Sequence, residues 1–382
     1  MKRVGIMSMQ RIYNYGSSLQ AYGLRRLIES VSSDVTVAFV DYMPGDVLVK
    51  ETRRQSTNKW ARALAKVAEY NAVDARVTDK IKFFNHKRAY GRRNFPALGI
   101  SEEPNYDFAL DVQVIGSDEV FNCVQSNTNV GYARDLFGHG SPAGKVISYA
   151  ASFGNTTLEK IEAAGIRADL EADFAAFDAI SVRDRNSAAI VEALTGRTPI
   201  VNVDPALAYD YMRLEPRIPA GRLHKAKYII VYGYSGRLTN EENRALADYA
   251  RSIGARILCF GGVQECCDEF VDCNPFELLA YFRDAEAVIT DTFHGTIFSI
   301  INHRPFGTII RRSSGHGYGN EEKLGYLLER FGLSDRVIVD MNKVDEILGC
   351  EIDAGGVNSI LTYERSRTAK YLTESILAGD AR

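Results

Sequence analysis

Long hydrophobic runs are missing from this sequence. No stretch of about 18 or more apolar residues occurs along its 382 residues, so a transmembrane helix is not expected. The N-terminal residues also lack the apolar core of a secretion signal and are typical of a first β-strand, which predicts a cytoplasmic protein. A large excess of positive charge is missing as well. The net charge of −3 argues against general binding to nucleic acids.

Metal-binding and dinucleotide-binding patterns are also missing. The six cysteines form no CxxC pair, and the adjacent Cys266 and Cys267 are awkwardly placed to hold one metal ion. We therefore expect reduced thiols and no metal or iron–sulfur site. The first strand-to-helix turn contains Asn14 and Gly16 but is not a GxGxxG fingerprint, so a dinucleotide cofactor is not supported. Its glycine serves either tight helix packing or a close approach of the backbone to a phosphate or sugar.

The composition that is present is typical of a soluble globular protein with two domains. Apolar residues make up 46% of the chain and charged residues 25%. A chain of 382 residues fits two domains of about 150–200 residues each. Pro216–Lys227, with two prolines, one glycine and no strong periodicity, is the predicted linker. We therefore predict an N-terminal domain at 1–215, with a basic insertion at about 46–98, and a C-terminal domain at 216–382.

Strand and helix patterns alternate in both predicted domains. Lys2–Met7 is a predicted strand, Leu19–Ile28 has apolar residues at helical spacing, and Val35–Val40 is the next strand. Further strands at Val112–Ile115 and Lys145–Tyr149 end in polar or glycine-containing turns. This alternation predicts a doubly wound sheet, which binds ligands at the carboxyl ends of its strands. A second alternation follows the linker and predicts a second sheet of the same type.

The stretch from residue 286 to residue 302 has the pattern of a functional site. A β-rich run, Ala287–Thr290, stops at the turn DTFHG, and the apolar run Thr296–Ile301 of helical length follows. Such a turn leaves backbone N–H groups that stabilise an anion together with the helix dipole. The turn holds an acid, a histidine and a glycine, namely Asp291, His294 and Gly295. The alternative is a role in capping and turn formation only.

The insertion at about 46–98 is rich in lysine and arginine. Trp60, Leu64 and Val67 lie at helical spacing within Lys59–Tyr70, so a basic amphipathic helix is predicted there. One interpretation is an ordinary solvated insertion that packs on the first domain. The other is contact with a membrane surface or with a polyanionic acceptor such as a lipid diphosphate.

A second basic segment is the glycine-rich loop Arg311–Asn320. Its glycines favour mobility, and Arg311 and Arg312 attract anions. The loop also contains His316. It is either a lid that closes over an anionic ligand or a solvated loop.

Six motifs in one order resemble a known family. They are NYGSSLQAYGL, VIGSDEVFN, SYAASFG, SVRD, VDPAL and DTFHGTIFSI, and they run from Asn14 to Ile300. In this order they resemble the polysaccharide pyruvyl transferase family. Members often carry Gln and Trp where Glu119 and Phe121 stand here, so the contacts of these two side chains differ. The resemblance implies an α/β fold of two Rossmann-like, doubly wound domains that face a cleft, similar to the B-type glycosyltransferases.

The resemblance also implies a reaction. A pyruvyl group is transferred from phosphoenolpyruvate to a sugar, usually as a cyclic ketal across two hydroxyls, and phosphate is released. Such a site needs cations and helix N-termini for the donor's carboxylate and phosphate, and one side chain that is first an acid and then a base. No metal or redox cofactor is needed. The expected partners are phosphoenolpyruvate and a glycan or glycolipid acceptor, and the expected location is the cytoplasm, with contact to the inner face of the membrane as an option.

Three residues are predicted to carry this chemistry. His294 is the predicted acid and base. Arg183 resembles a ligand of the donor's carboxylate or phosphate, or it forms a salt bridge with Asp184 or with another acid at a strand end. Asp291 either orients His294 or caps the following helix. The residues predicted to bind substrate are Asn14, Gly16, Gln20, Ser117, Asp118, Gly295, Thr296, Arg311, Arg312 and His316.

Two other functions remain open on the sequence alone. A nucleotide-sugar-dependent glycosyltransferase of the same architecture would need an acidic residue for the ribose hydroxyls, and Glu277 and Asp284 are the candidates. A sugar-binding or scaffold module of a polysaccharide assembly complex would need no chemistry. The oligomeric state has no signature in the sequence.

Overall fold

The computed structural model describes residues 1–49, 73–311 and 320–378, which form two compact units. The first unit comprises residues 1–49, 94–211 and 358–378. The second comprises residues 73–93, 212–311 and 320–357. Each unit contains one six-stranded parallel sheet with helices beside it, so the predicted α/β fold with two Rossmann-like sheets is confirmed.

The strands and helices are numbered along the chain. The strands are β1 (Lys2–Met7), β2 (Val35–Phe39), β3 (Val112–Asp118), β4 (Lys145–Ala151), β5 (Ser181–Val182), β6 (Ile200–Val201), β7 (Tyr228–Tyr232), β8 (Arg256–Phe260), β9 (Glu269–Phe270), β10 (Val288–Thr290), β11 (Phe306–Ile309) and β12 (Val337–Ile338). The α-helices are α1 (Tyr15–Glu29), α2 (Val77–Leu98), α3 (Leu158–Ala163), α4 (Arg167–Phe174), α5 (Arg185–Thr195), α6 (Pro205–Ala208), α7 (Tyr211–Leu214), α8 (Asn240–Ser252), α9 (Pro275–Asp284), α10 (Phe293–Ile301), α11 (Glu321–Arg330), α12 (Val344–Gly349) and α13 (Ala354–Leu377).

The strand order in each sheet contains one reversal. The first sheet has the order β2-β1-β3-β4-β5-β6, and the second has the order β12-β11-β10-β7-β8-β9. The order reverses between β1 and β3 in the first sheet and between β10 and β7 in the second. Open α/β sheets bind ligands outside the carboxyl ends of the strands at such a reversal. The topology therefore singles out the ends of these four strands.

The central strands of the first sheet are longer than predicted. The strand predicted at Val112–Ile115 continues to Asp118, because Gly116 still pairs with Tyr149 and Asp118 with Ala151. Gly116 has φ of 129°, and a Cβ there would lie 2.2 Å from the carbonyl oxygen of Tyr149. Only glycine adopts this conformation at so close an approach without strain. The polar residues that follow Gly116 are therefore held by the end of β3 itself.

Helix α1 begins earlier than its apolar spacing indicates. It starts at Tyr15, because the side chain of Asn14 accepts a hydrogen bond from the backbone N–H of Ser17 at 2.7 Å and caps the helix. Gly16 consequently lies in the first helical turn and is buried. The turn that the sequence predicts around Gly16 is thus shorter, and it ends at Asn14.

The first unit contains most of the C-terminal helix α13, from Asn358 onward, whereas the sequence predicts it in the second domain. Three contacts hold it there. The Tyr371 hydroxyl donates to the carbonyl of Ser148 at 2.6 Å, the hydroxyls of Tyr149 and Thr368 lie 2.9 Å apart, and Lys2 donates to the carbonyl of Ile376 at 2.8 Å. Pairings over more than 200 residues of sequence leave no local signal, so the division at residue 215 misses them.

Residues 73–93 of the basic insertion belong to the second unit, whereas the solvated-insertion interpretation placed them on the first domain. The aromatic rings of Phe83 and Phe270 lie 5.4 Å apart, and the backbone N–H of Phe270 donates to Asp79 at 3.2 Å. The amphipathic helix predicted at Lys59–Tyr70 lies outside the described residues.

The cysteines differ from the expectation of reduced thiols at one pair. Cys259 and Cys267 form a disulfide in the second unit, while Cys123, Cys266, Cys273 and Cys350 are thiols. The pairing follows from β8 and the loop after it, which bring together two residues separated by eight positions. Within the described residues, none of the helices is long and apolar enough to cross a bilayer.

Candidate active site

The DTFHG turn lies at the carboxyl end of β10, beside the reversal of the second sheet. Helix α10 begins at Phe293, and its cap is Thr292, whose hydroxyl accepts from the backbone N–H of Gly295 at 3.0 Å. Of the two roles that the sequence left open for Asp291, the capping role therefore belongs to Thr292 instead. The threonine takes that place because its hydroxyl already lies over the third N–H of the helix, as a cap requires.

His294 occupies the first turn of α10 and is half-buried. Its ring meets the ring of Phe293 edge-on, with 5.6 Å between centroids, and lies 6.2 Å from that of Phe298. The histidine is thus placed at the carboxyl end of a strand beside the reversal, on a helix whose other residues are mostly buried. This is the geometry that the sequence predicted for it.

Asp291 is joined to two arginines. Its carboxylate lies 3.3 Å from Nη1 of Arg237 and 3.7 Å from Nε of Arg311, and it is buried. Its backbone carbonyl accepts from the amide of Asn320 at 2.6 Å. Because burying a carboxylate is costly unless it is paired, these contacts explain its position. Its predicted role in orienting His294 stays a prediction.

Arg311 is held by acids rather than exposed to a ligand. Its guanidinium donates two hydrogen bonds to Glu242, at 2.7 and 2.9 Å. Burial raises the pKa of Glu242, but the hydrogen bonds from Arg311 and Thr239, together with the positive charge of Arg311, outweigh this effect and hold the pKa below its ordinary value. Asn320 also exchanges hydrogen bonds with the backbone of Arg311, at 2.7 and 2.9 Å. The other two residues predicted in this loop, Arg312 and His316, lie outside the described residues.

The predicted phosphate donors, Gly295 and Thr296, already donate their backbone N–H groups within the first turn. The N–H of Gly295 bonds to the cap, and that of Thr296 bonds to the carbonyl of Thr292 at 3.2 Å. Thr296 is also buried, with its hydroxyl 3.1 Å from that of Thr308. In this structure they organise the helix start instead of offering donors to an anion.

Replacement of Gly295 by alanine is expected to destabilise the protein by about 1–3 kcal/mol, because the site has no room for a methyl group. A Cβ there would lie 2.2 Å from the hydroxyl of Thr290 and 2.7 Å from the ring of Tyr232. Thermal unfolding measures the effect. Gly325→Ala in α11 is the matched control, since nothing lies within 4 Å of its Cβ position, and it should leave stability equal or higher by up to about 1 kcal/mol. Equal melting temperatures for the two variants would contradict this packing.

The first unit brings several predicted residues together at the ends of β1 and β3. The Ser8 hydroxyl donates to the carbonyl of Ser117 at 3.2 Å and accepts from the amide of Gln20 at 2.9 Å. The same amide donates to the carbonyl of Ser17 at 3.1 Å. Gln20 is fully buried, and its Oε1 has no hydrogen-bond partner within the described parts of the chain. Gln20 therefore ties the first turn of α1 to the strand ends.

Asp118 and Arg183 lie at the same edge. Asp118 has φ of 73° and accepts from the Ser17 hydroxyl at 2.8 Å and from its neighbour Glu119 at 2.9 Å. Arg183 Nη2 lies 3.4 Å from Asp118, and Nη1 lies 2.9 Å from Asp204. This is the second alternative that the sequence left open for Arg183, an ion pair with acids at strand ends.

The surroundings of Arg183 are negatively charged. Its side chain is 2% exposed, and that of Asp204 is completely buried. Burial alone would lower the pKa of Arg183, but the nearby carboxylates of Asp118, Asp204, Glu119 and Asp184 outweigh it and raise the pKa. One cation among four carboxylates does not attract a further anion. The first sheet edge therefore differs in charge from the second, where two arginines pair with the two acids Asp291 and Glu242.

Arg237 and Asp204 were not among the predicted site residues. Asp204 stands in the VDPAL motif and follows β6, so its place at a strand end was visible, but its partner 21 residues away was not. Arg237 lies in the loop after β7, with its guanidinium 4.8 Å from the ring centroid of Tyr234. A single arginine in a loop has no sequence signature. Arg237 reaches Asp291 only because β7 lies next to β10 in the sheet.

The two candidates for the acidic residue of the glycosyltransferase alternative are both engaged. Glu277 accepts from the backbone N–H of Asn274 at 2.8 Å and closes the capping box of α9. Asp284 accepts two hydrogen bonds from Arg283, each at 2.8 Å. Neither presents an unengaged carboxylate to a ribose.

Several solved structures are similar to this chain in fold. A UDP-N-acetylglucosamine 2-epimerase aligns with a TM-score of 0.50 at 9% identity, over 99% of this chain and 95% of that chain. The UDP-GlcNAc 2-epimerase of Methanocaldococcus jannaschii, in complex with UDP-GlcNAc and UDP, has a TM-score of 0.49 at 11% identity, over 99% and 100%. An O-GlcNAc transferase mutant of Thermobaculum terrenum has a TM-score of 0.41 at 15% identity, over 98% of this chain and 64% of that chain. At these identities the likeness concerns the fold alone, the Rossmann-like fold of B-type glycosyltransferases.

Sequence comparison decides the family. No curated protein sequence matches the chain. The sequence profile described as polysaccharide pyruvyl transferase matches residues 14–313, a range that contains both Arg183 and His294. This match covers more than half of the chain and confirms the resemblance of the six motifs. The chain belongs to the polysaccharide pyruvyl transferase family, and it is a transferase.

Proposed function

We propose that this transferase moves a pyruvyl group from phosphoenolpyruvate to two hydroxyls of a sugar, forming a cyclic ketal and releasing phosphate. The observation that carries the proposal is the position of His294. It lies in the first turn of α10, directly after the end of β10 and beside the strand reversal, within the range that matches the family. The acceptor is a polysaccharide or its lipid- or nucleotide-linked precursor.

The reaction needs one group that gives and then receives a proton. The acid protonates the methylene carbon of phosphoenolpyruvate, and the adjacent carbon becomes an oxocarbenium-like centre that a sugar hydroxyl attacks. The bond between that carbon and the phosphate oxygen then breaks, and the second hydroxyl closes the ketal. Of the two hydroxyl protons, one replaces the proton spent on the methylene and the other leaves with phosphate. Imidazole suits this cycle because it exchanges protons near neutral pH.

The arginines beside Asp291 support binding of the donor's negative charges at the second unit. Arg237 is one-third exposed, whereas Arg311 is anchored to Glu242 by two hydrogen bonds. Guanidinium groups bind carboxylates and phosphates through paired hydrogen bonds. We therefore place the donor's anionic groups near Arg237, with Arg311 and Asp291 holding that arginine in position.

The charge of the first unit supports a different role for its sheet edge. Asp118, Glu119 and the buried pair of Arg183 and Asp204 leave an excess of carboxylate there. Carboxylates accept hydrogen bonds from sugar hydroxyls but repel a donor that carries both a phosphate and a carboxylate. We place the acceptor's hydroxyls at this edge, and we assign Arg183 the role of positioning Asp118 and Asp204.

Phosphate release tests the proposal. The protein is incubated with phosphoenolpyruvate, with and without candidate glycan acceptors, and the acceptor is then analysed by mass spectrometry for a pyruvyl ketal. We expect phosphate release that depends on the acceptor. Transfer of a sugar from a UDP-sugar, with no reaction of phosphoenolpyruvate, would establish the glycosyltransferase alternative instead. Tight glycan binding without either reaction would establish a binding module.

A further inference from the structure

Helix α2 has one face that is fixed against the second unit. Asp79 and Phe83 contact Phe270, and His86 Nδ1 lies 2.7 Å from the carboxylate of Asp272. Burial lowers the pKa of His86, although Asp272 opposes this effect. Two ion pairs flank the contact, from Lys82 to Glu269 at 3.3 Å and from Arg93 to Asp272 at 2.7 Å. These contacts set the rotation of the helix about its axis.

The opposite face of α2 is apolar and exposed. Val77, Ile81 and Phe84 are 70%, 55% and 46% exposed. They lie at positions i, i+4 and i+7, so they form one stripe along about two helical turns. Because the inner face is fixed, the helix cannot rotate to bury this stripe. Single exposed apolar residues are common, but three aligned ones on one helix indicate a contact surface.

The charged residues of α2 outside its inner face are all positive. Arg88 and Arg92 continue the same face and are exposed, and neither forms an ion pair with any of the described residues. Lys80 and Lys87 border the stripe. The only acid between residues 77 and 98 is Asp79, which is buried on the inner face. The preceding residues 50–72 add six lysines and arginines against two glutamates in the sequence.

We infer that the outward face of α2 docks on a bilayer that contains anionic lipids. Cations at the border of an apolar stripe suit the interface plane, where they meet lipid phosphates while the apolar side chains enter the acyl boundary. A nucleic acid would bind the cations without any need for the apolar stripe, and exposure of the stripe to water is unfavourable. Val77, Ile81 and Phe84 enter the bilayer, and Arg88 and Arg92 bind lipid headgroups. The surface is independent of the donor chemistry, and it brings the second unit to the place where a lipid-linked acceptor would be presented.

Vesicle flotation of the full chain tests this inference. Wild-type protein should float with vesicles of phosphatidylcholine and phosphatidylglycerol, and much less with phosphatidylcholine alone. The double variant Ile81→Ser/Phe84→Ser should bind about tenfold more weakly, because it removes apolar area from the contact. Arg88→Gln/Arg92→Gln should lose much of the dependence on salt. Val339→Ser is the matched control, a substitution of a 90% exposed residue in the same unit, and should bind like wild type.

Two further results decide the inference. Melting temperatures and phosphate release with a soluble acceptor should be unchanged in the variants, which separates failure of membrane docking from failure of the proposed reaction. The inference would be overturned if Ile81→Ser/Phe84→Ser bound vesicles as strongly as the wild type, or if the wild type did not bind vesicles at all. It would also be overturned if that variant lost self-association instead of vesicle binding.

Discussion

His294→Ala should lower the rate of acceptor-dependent phosphate release by about 10²–10⁴-fold, the usual contribution of a general acid. The same substitution should leave the fold intact, since His294 is half-buried and its capping neighbour Thr292 is untouched. The rate is measured under saturating phosphoenolpyruvate and acceptor, with circular dichroism to verify folding. His294→Gln should be equally inactive, because an amide keeps the hydrogen-bonding capacity but transfers no proton at neutral pH.

His224→Ala provides the control for this prediction. His224 lies in the same unit, packs on the ring of Tyr228 with 5.4 Å between centroids, and stands outside the strand-end cluster. Its loss should change activity little. Full activity of His294→Ala would remove His294 from the chemistry. An equal loss in both variants would point to a general effect on the unit rather than to an acid.

Arg183→Ala should cause the largest loss of stability in the first unit, roughly 3–5 kcal/mol, because it leaves the buried carboxylate of Asp204 without its cation. Two-unit proteins need not unfold in one step, so hydrogen exchange of the β3 and β4 amides is the suitable measurement. Asp204→Asn in the Arg183→Ala background removes the unpaired charge and should recover part of the loss.

Arg167→Ala is the matched control in the same unit. Arg167 is 40% exposed and pairs with Glu162 and Glu171 at the surface, so its loss should leave hydrogen exchange in the first unit nearly unchanged. A stable Arg183→Ala variant with a raised KM for phosphoenolpyruvate would show that Arg183 binds the donor, as the family resemblance implies. A destabilised variant without that specific effect on KM supports the positioning role.

Local patterns were good predictors of the elements that carry the site. The alternating run before Asp291 predicts a strand, and β10 covers Val288–Thr290. The apolar run after it predicts a helix, and α10 begins three residues before Thr296. Residues of these types favour strand and helix through contacts with their own neighbours, so a window of about ten residues contains the signal. The predicted ends of these strands and helices were less accurate, because each helix cap depends on a single hydrogen bond.

The roles of individual side chains depended on partners distant in the chain. Arg183 is paired with acids 21 and 65 residues away, and Asp291 with an arginine 54 residues away. The sequence offers two local roles for Asp291, a helix cap and an orienter of His294, whereas its carboxylate contacts arginines in two other loops. Nothing near these residues in the sequence indicates which charges meet.

The two sheets, the strand-to-helix turn and the histidine within it follow from periodicity, turn residues and motif order, which are properties of neighbouring positions. The strand order determined which charged side chains lie next to one another. It brought β7 beside β10 and placed Arg237 at Asp291, and it brought β1 beside β3 and surrounded Arg183 with carboxylates. Charge at a site is a sum over residues in space, so only the folded arrangement distinguishes the second sheet edge, where two arginines balance two acids, from the acidic edge of the first sheet.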